Sequence, residues 1–311
     1  MKSDEASATA YLIATSTLFV AADPRAGHLI PPRAAELSAC FVQTGSRAVR
    51  WIHELLPRQP ARPFVSALER MTIPGIQLHY ALRKLYLEEI TRAALADGIR
   101  QVVIFGAGYD TLALRLHEIF PDTGFIELDH PATQRRKTHA LATAAARRDT
   151  SQSSNLHFLP LDLTRRQLAA TLHNFAGYRA DAPTLFIAEG LLMYLSPVEV
   201  DNLFETIRES CAAASRFAFT FMEPQANGRI NFRTRSRVVD AWLGSRREVF
   251  KWGVRRSELG DYLAARNFTL RDLATHETFR RRYLEPHRLT AQLPLAAGEY
   301  VCVAELDGKG N

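Results

Sequence analysis

QVVIFGAGYD, residues 101–110, decides the fold. Val102, Val103, Ile104 and Phe105 make a short continuous apolar run with β-branched members, and Gly106-Ala107-Gly108 follows. Asp110 comes next, then a helical pattern of Leu112, Leu116 and Ile119. The order is strand, tight glycine turn, helix start. A buried strand that stops at Gly-x-Gly brings bare backbone close to a ligand, because glycine has no Cβ to block the approach. Such a turn marks a nucleotide-type ligand at the carboxyl end of a parallel sheet.

The dinucleotide fingerprint wants a third glycine at position 111, where this chain has Thr111. Asp110 stands where a pyrophosphate would rest. A carboxylate there repels phosphate, suits a cationic ligand and caps the helix. S-adenosylmethionine (SAM) carries a sulfonium and an ammonium and no phosphate. Taken alone, the Gly-x-Gly is equally readable as a plain turn with a capping aspartate.

Working outward, strand-like runs at 102–105, 124–128, 156–161, 184–188, 217–221 and 300–305 alternate with helical runs at 111–120, 131–147, 165–175, 197–213 and 257–266. That alternation predicts βαβ units and a parallel, doubly wound α/β sheet. Ser196-Pro197-x-Glu199 is a helix start with Ser as N-cap and Pro at N1. Residues 1–10 read as a small polar tail. Residues 11–98 read as helical but broken by prolines, ending in a helix over 78–96 whose apolar face holds Leu82, Leu85, Tyr86, Ile90, Ala93 and Ala94. The arginine-rich stretch 224–256, with Trp242 and Trp252, interrupts the alternation and suggests a helical cap. The expected organisation is an N-terminal helical extension or lid over 1–98 and a cofactor-binding domain over 99–311.

At 47% hydrophobic and 23% charged, the 311 residues have an ordinary soluble globular composition. The net charge is +6, but the arginines are scattered and form no basic stripe interleaved with aromatics, so no nucleic-acid partner is expected. No stretch approaches a transmembrane span, and 11–22 lacks the basic flank of a signal peptide, so no membrane partner is expected. Cys40, Cys211 and Cys302 read as reduced thiols of a cytoplasmic protein, without a disulfide frame or metal site.

In an open parallel sheet the ligand sits outside the carboxyl ends of the strands. Those ends carry Asp110, Asp129, Asp162-Leu163, Glu189 and Glu223 in succession, an acidic crescent suited to a ligand with positive charge and hydroxyl donors. Asp129 lies 21 residues past Gly108, the distance for accepting from ribose hydroxyls. Asp162 suits the adenine amino group, Leu163 a backbone and apolar contact, and Glu189 the methionine ammonium. NAD would leave Asp110 and Glu189 beside anionic phosphates in a low-dielectric cleft. An NAD-dependent oxidoreductase and a non-catalytic binding module stay open as rival classes.

HYALRK (79–84), QVVIFGAGYDTLALRL (101–116), FIELDHP (125–131), Lys137, LDL (161–163) and PTLFIAEGLLMYL (183–195) together resemble the leucine carboxyl methyltransferase family of class I SAM methyltransferases, over roughly 70–306. The resemblance implies a Rossmann-like sheet of seven strands in the order 3-2-1-4-5-7-6, its last strand antiparallel. It implies SAM as cofactor, S-adenosylhomocysteine as product and no metal. It further implies that Arg83 pairs with the SAM carboxylate, and that Gly106, Gly108, Asp129, Asp162, Leu163 and Glu189 match the family's cofactor positions. Tyr194 matches a tyrosine near the acceptor. The eukaryotic member places an N-terminal lysine in the site; residues 11–35 here hold none, leaving Arg25 and Arg33 as substitutes.

The expected acceptor is a carboxylate on a small molecule or peptide. It is ionised at neutral pH and needs only orientation, for which Tyr194, Tyr80, Arg233, Arg235 and Arg237 are candidates. A phenol or alcohol acceptor is the alternative and would call on His130 or His79 as base.

Overall fold

The structure is a computed structural model that describes residues 8–45, 62–145, 155–163, 168–212, 214–232, 250–289 and 293–308. The first strand, β1 (Gln101–Phe105), is an inner strand buried at every position. β1 pairs in parallel with β2 (Gly124–Asp129) on one side and β4 (Thr184–Ala188) on the other. Val103 thereby faces Ile126 and Phe186 across the ladder. β3 (Leu156–Pro160) flanks β2, and β5 (Arg216–Met222) flanks β4, both in parallel. β7 (Glu299–Leu306) runs antiparallel between β5 and the edge strand β6 (Phe268–Ala274), completing the order 3-2-1-4-5-7-6. A strand covered on both faces has no polar side to show, which is why β1 and β4 read as unbroken apolar runs.

The residue pattern yields six of these strands. The seventh, β6, is mostly exposed along FTLRDLA and breaks register between Leu270 and Asp272. An edge strand needs charge and a bulge more than an apolar face, so its period is weak.

Alternate residues of the strands feed two cores. Val102, Ile104, Leu185 and Ile187 pack with Leu82, Tyr86, Ala113 and Leu116 on one face. Val103, Phe105, Phe186 and Ala188 pack with Phe204, Ile207 and Leu263 on the other. The first face is covered by α4 (Ile76–Ala96), following α1 (Ala8–Ala21), α2 (Pro32–Val42) and α3 (Arg62–Thr72), and by the short α5 (Leu112–Leu116). Residues 8–10, read as tail, are therefore already helical. α6 (Pro131–Ala145) follows β2, and α7 (Leu168–His173) follows β3. α8 (Pro197–Ser210) begins with the capping box that the sequence announces: Ser196 Oγ accepts from Glu199 N, and Glu199 accepts from Ser196 N. α9 (Leu259–Ala264) and α10 (His276–Phe279) bracket β6.

One expectation changes. The run 111–120 is helical only over Leu112–Leu116, and its N-cap is Thr111, with no side-chain cap hydrogen bond. Asp110 does not cap it. Of the expected cap over 224–256, residues 233–249 lie outside the described residues, and with them Trp242, Arg233, Arg235 and Arg237. Trp252 is buried in the second core. No helix among the described residues is long and apolar enough to cross a membrane.

Candidate active site

A cleft of about 450 Å³ opens at the carboxyl ends of β1, β2, β3 and β4. Arg83, Gly106, Gly108, Asp110, Asp129, Asp162, Leu163, Glu189 and Tyr194 all line it. Tyr80 is not among the lining residues; its ring lies under Arg83, with the guanidinium carbon 5.0 Å from the ring centroid. Glu223, the fifth carboxylate of the expected crescent, is not among them either; it holds Arg256 and accepts from Tyr300.

The turn after β1 builds the floor. Gly106 N donates to Leu128 O at 2.8 Å, tying the turn to β2. Gly106 and Gly108 have φ of 62° and 51°, a left-handed backbone that costs side-chain-bearing residues energy. A Cβ on Gly106 would also stand 3.0 Å from the Leu191 side chain. Gly108 N donates to Asp129 Oδ2, and His130 N to Asp129 Oδ1. The strand-end carboxylate is thus locked by backbone donors on both oxygens. Burial raises the Asp129 pKa, with those two hydrogen bonds opposing.

Asp110 and Glu189 are matched by cations: Arg83, which the resemblance places at the cofactor, and Lys84, to which the sequence reading gave no role of its own. Lys84 Nζ donates to Asp110 Oδ1 and to Glu189 Oε2, each at 2.8 Å. Burial works to raise the Asp110 pKa, but Lys84, then Lys137, hold it down at about 2. Arg83 Nε donates to Glu189 Oε1 at 2.8 Å. Arg83 Nη1 meets both oxygens of Glu299, at 2.6 and 2.7 Å. Burial disfavours the Arg83 charge, yet Glu299 and Glu189 more than offset it and raise its pKa. Behind the turn, Lys137 Nζ donates to Asp110 O at 2.7 Å and to Glu127 Oε2 at 2.6 Å. Burial pushes Glu127 up to about 7 against the pull of Lys137. The crescent is acidic in sequence and largely neutralised in space. Both oxygens of Glu189 are already engaged by Arg83 and Lys84, so a ligand ammonium would share it with them.

The expected bases separate. His130 lines the cleft, and its Nδ1 accepts from Ala132 N at 3.3 Å. His79 is 1% exposed, and its Nε2 lies 2.8 Å from Glu299 Oε2, in the core and not among the cleft residues. Arg25 and Arg33 stand outside as well, Arg25 beside Asp23 and Arg33 paired with Glu36. The N-terminal contribution comes from α1, whose Thr9, Ala10 and Ile13 line the cleft. Lys251, which sequence reasoning also missed, lines it beside Tyr194. Among the described residues no cluster of three or more His, Cys, Asp or Glu could hold a metal ion.

Residues 6–208 match the model of the family described as Leucine carboxyl methyltransferase. The chain belongs to this family. The leucine carboxyl methyltransferase match starts earlier than the motifs suggest, in the segment leading into α1, and stops before β5. Glu223, Lys251 and Glu299 lie beyond it. A Mycobacterium tuberculosis protein named "Putative S-adenosyl-L-methionine-dependent methyltransferase" is 34% identical over 212 residues, 66% of this chain and 64% of its own length. A Mycobacterium bovis protein of the same name is 40% identical over 138 residues, 44% of this chain and 38% of its own. The match therefore spans less than two-thirds of either relative. Among solved structures, one titled as a putative methyltransferase from Thermobifida fusca has a TM-score of 0.54 at 17% identity, covering 81% of this chain and 90% of that one. That likeness is one of fold.

Proposed function

We propose that the chain is a SAM-dependent methyltransferase that turns a carboxylate on a small molecule or peptide into its methyl ester. The observation that carries the cofactor reading is the convergence of Gly106, Gly108, Asp129, Asp162, Leu163 and Glu189 on one cleft, in a chain of this family. The fit supports it. The cleft of about 450 Å³ lies within the range of small-molecule sites, about 300–1,000 Å³. Bare backbone at Gly106–Gly108 allows close approach. Asp129 is held by two N–H groups and keeps lone pairs for hydroxyl donors.

When bound, SAM supplies a methyl on a sulfonium. The chain has then to hold the nucleophile in line with it and keep water out. A carboxylate acceptor is already ionised at neutral pH and needs no proton removed. The acceptor reading is supported by Lys251. Its backbone N donates to Met193 O at 2.7 Å, which anchors it beside Tyr194. Arg83 and Lys84 are committed to carboxylates, whereas Lys251 has no ion pair among the described residues. Lysine at the cleft and Tyr194 next to it suit an anion that must be oriented. α1 lies over the turn at Gly108, where an added Cβ would stand 3.4 Å from Ala10 Cβ.

The test incubates the chain with methyl-labelled SAM and mixed carboxylic acids or peptide extracts, and follows label into product. An ester releases labelled methanol in mild alkali. A base-stable product would instead favour hydroxyl O-methylation assisted by His130, the histidine that lines the cleft. Calorimetry that detects NAD but no SAM would overturn the methyltransferase reading itself.

A further inference from the structure

Arg83 has five N–H donors in a rigid planar fork. The one on Nε is taken by Glu189, and Nη1 is taken by Glu299. The pair on Nη2 has no hydrogen bond among the described residues, and Nη2 lies 3.4 Å from where a Cβ on Gly190 would stand, at the cleft wall. Glu189 and Glu299 thus hold two edges of the guanidinium and turn the third toward the cleft. The two holders differ. Glu189 itself lines the cleft; Glu299 is 1% exposed, lies behind Arg83, and is not among the cleft residues. Glu299 is in turn fixed by His79, whose Nε2 is 2.8 Å from Glu299 Oε2. It enters from the first residue of β7, paired with Met222 of β5, so the sheet sets its position. An arginine on a helix, left with Glu189 alone, could rotate about its Nε contact; the second carboxylate removes that freedom.

We propose that Glu299 is a positioning residue, which locks Arg83 so that its Nη2 edge faces the amino-acid end of the bound cofactor. This rests on the cofactor reading given above. Glu299 touches no ligand itself. Its effect should be felt only by ligands that carry a carboxylate for Arg83 to receive.

The experiment compares two nucleosides on the full chain by calorimetry. S-adenosylhomocysteine carries the amino-acid carboxylate; 5′-methylthioadenosine lacks it. Glu299→Gln should weaken the first by about tenfold and the second by less than about twofold, since one charge-assisted contact is loosened for the first ligand alone. Glu299→Asp keeps the charge but shortens the reach, so it should also discriminate against S-adenosylhomocysteine. Equal losses for both nucleosides in both variants, or no loss in either, would overturn the assignment while leaving the cofactor reading intact. Failure of both variants to fold would make Glu299 a fold-determining partner of Arg83 and likewise overturn it. A native chain that binds neither nucleoside overturns the cofactor reading, and this inference with it.

Discussion

Replacing Lys84 by Met removes the cation that bridges Asp110 and Glu189 and keeps the aliphatic bulk. The Asp110 carboxyl is held at about 2 against 3.8 for an ordinary aspartate. That gap is worth about 2 kcal/mol of folding stability at neutral pH, at about 1.4 kcal/mol per pH unit. Burial opposes the lowering, so the cations together supply more than this net value, and shared with Lys137 the part owed to Lys84 is roughly 1–2 kcal/mol. Little of this is lost to solvent screening, since the side chains are only 12% and 20% exposed. The sign follows from the direction of the shift. A depressed carboxyl stabilises the fold above the unfolded pKa and loses that contribution as pH falls toward the folded one. Urea unfolding of native chain and Lys84→Met at pH 7, 5, 4 and 3 should therefore give a gap that is full at pH 7 and 5. About half should be left at pH 3. No gap at pH 7, or one that stays constant down to pH 3, would refute the bridging role.

Lys137→Met leaves Glu127 buried without its cation and should cost about 3–5 kcal/mol in urea unfolding, with recovery when Glu127→Leu is added. Gly108→Val forces a β-branched residue to φ of 51° beside Ala10 and Asp129; S-adenosylhomocysteine binding by calorimetry should vanish. Tyr194→Phe should lower turnover several-fold in the labelled-methyl assay, about 1 kcal/mol for one orienting hydrogen bond, with cofactor affinity unchanged. Asp129→Asn should weaken S-adenosylhomocysteine by roughly 1.5–3 kcal/mol, and a larger fall in stability than in affinity would mark the residue as purely structural.

What the sequence made legible is what the chain encodes locally. Residues 101–110 place an apolar run next to two glycines, and nothing remote is needed to make them a buried strand and a turn. Asp129 and Glu189 fall at the carboxyl ends of their strands, and the parallel strands β1 to β5 carry those ends to one rim. Charge pairing was not legible, since it is set by contacts far apart in the chain. Arg83 and Glu299 are separated by 216 positions, and no periodicity links them. Lys84 was assigned no role of its own from the sequence, yet it bridges Asp110 and Glu189, 26 and 105 positions away. The crescent was therefore read as bare acid when two of its five carboxylates, Asp110 and Glu189, are answered from α4. β6 escaped because an edge strand carries the polarity of a loop.

The antiparallel strand that supplies Glu299 also sets an order of events during synthesis. The glycine turn, Arg83, Asp129 and Glu189 have all been made by residue 189, and β1, β2 and β4 can pair before β7 exists. Until residue 299 has been added and β7 has paired with β5, the guanidinium of Arg83 has only one of its two carboxylates. A nascent chain can thus own every residue on the walls of the cleft and still lack the balance of charge behind them. The pocket is drawn early and wired last.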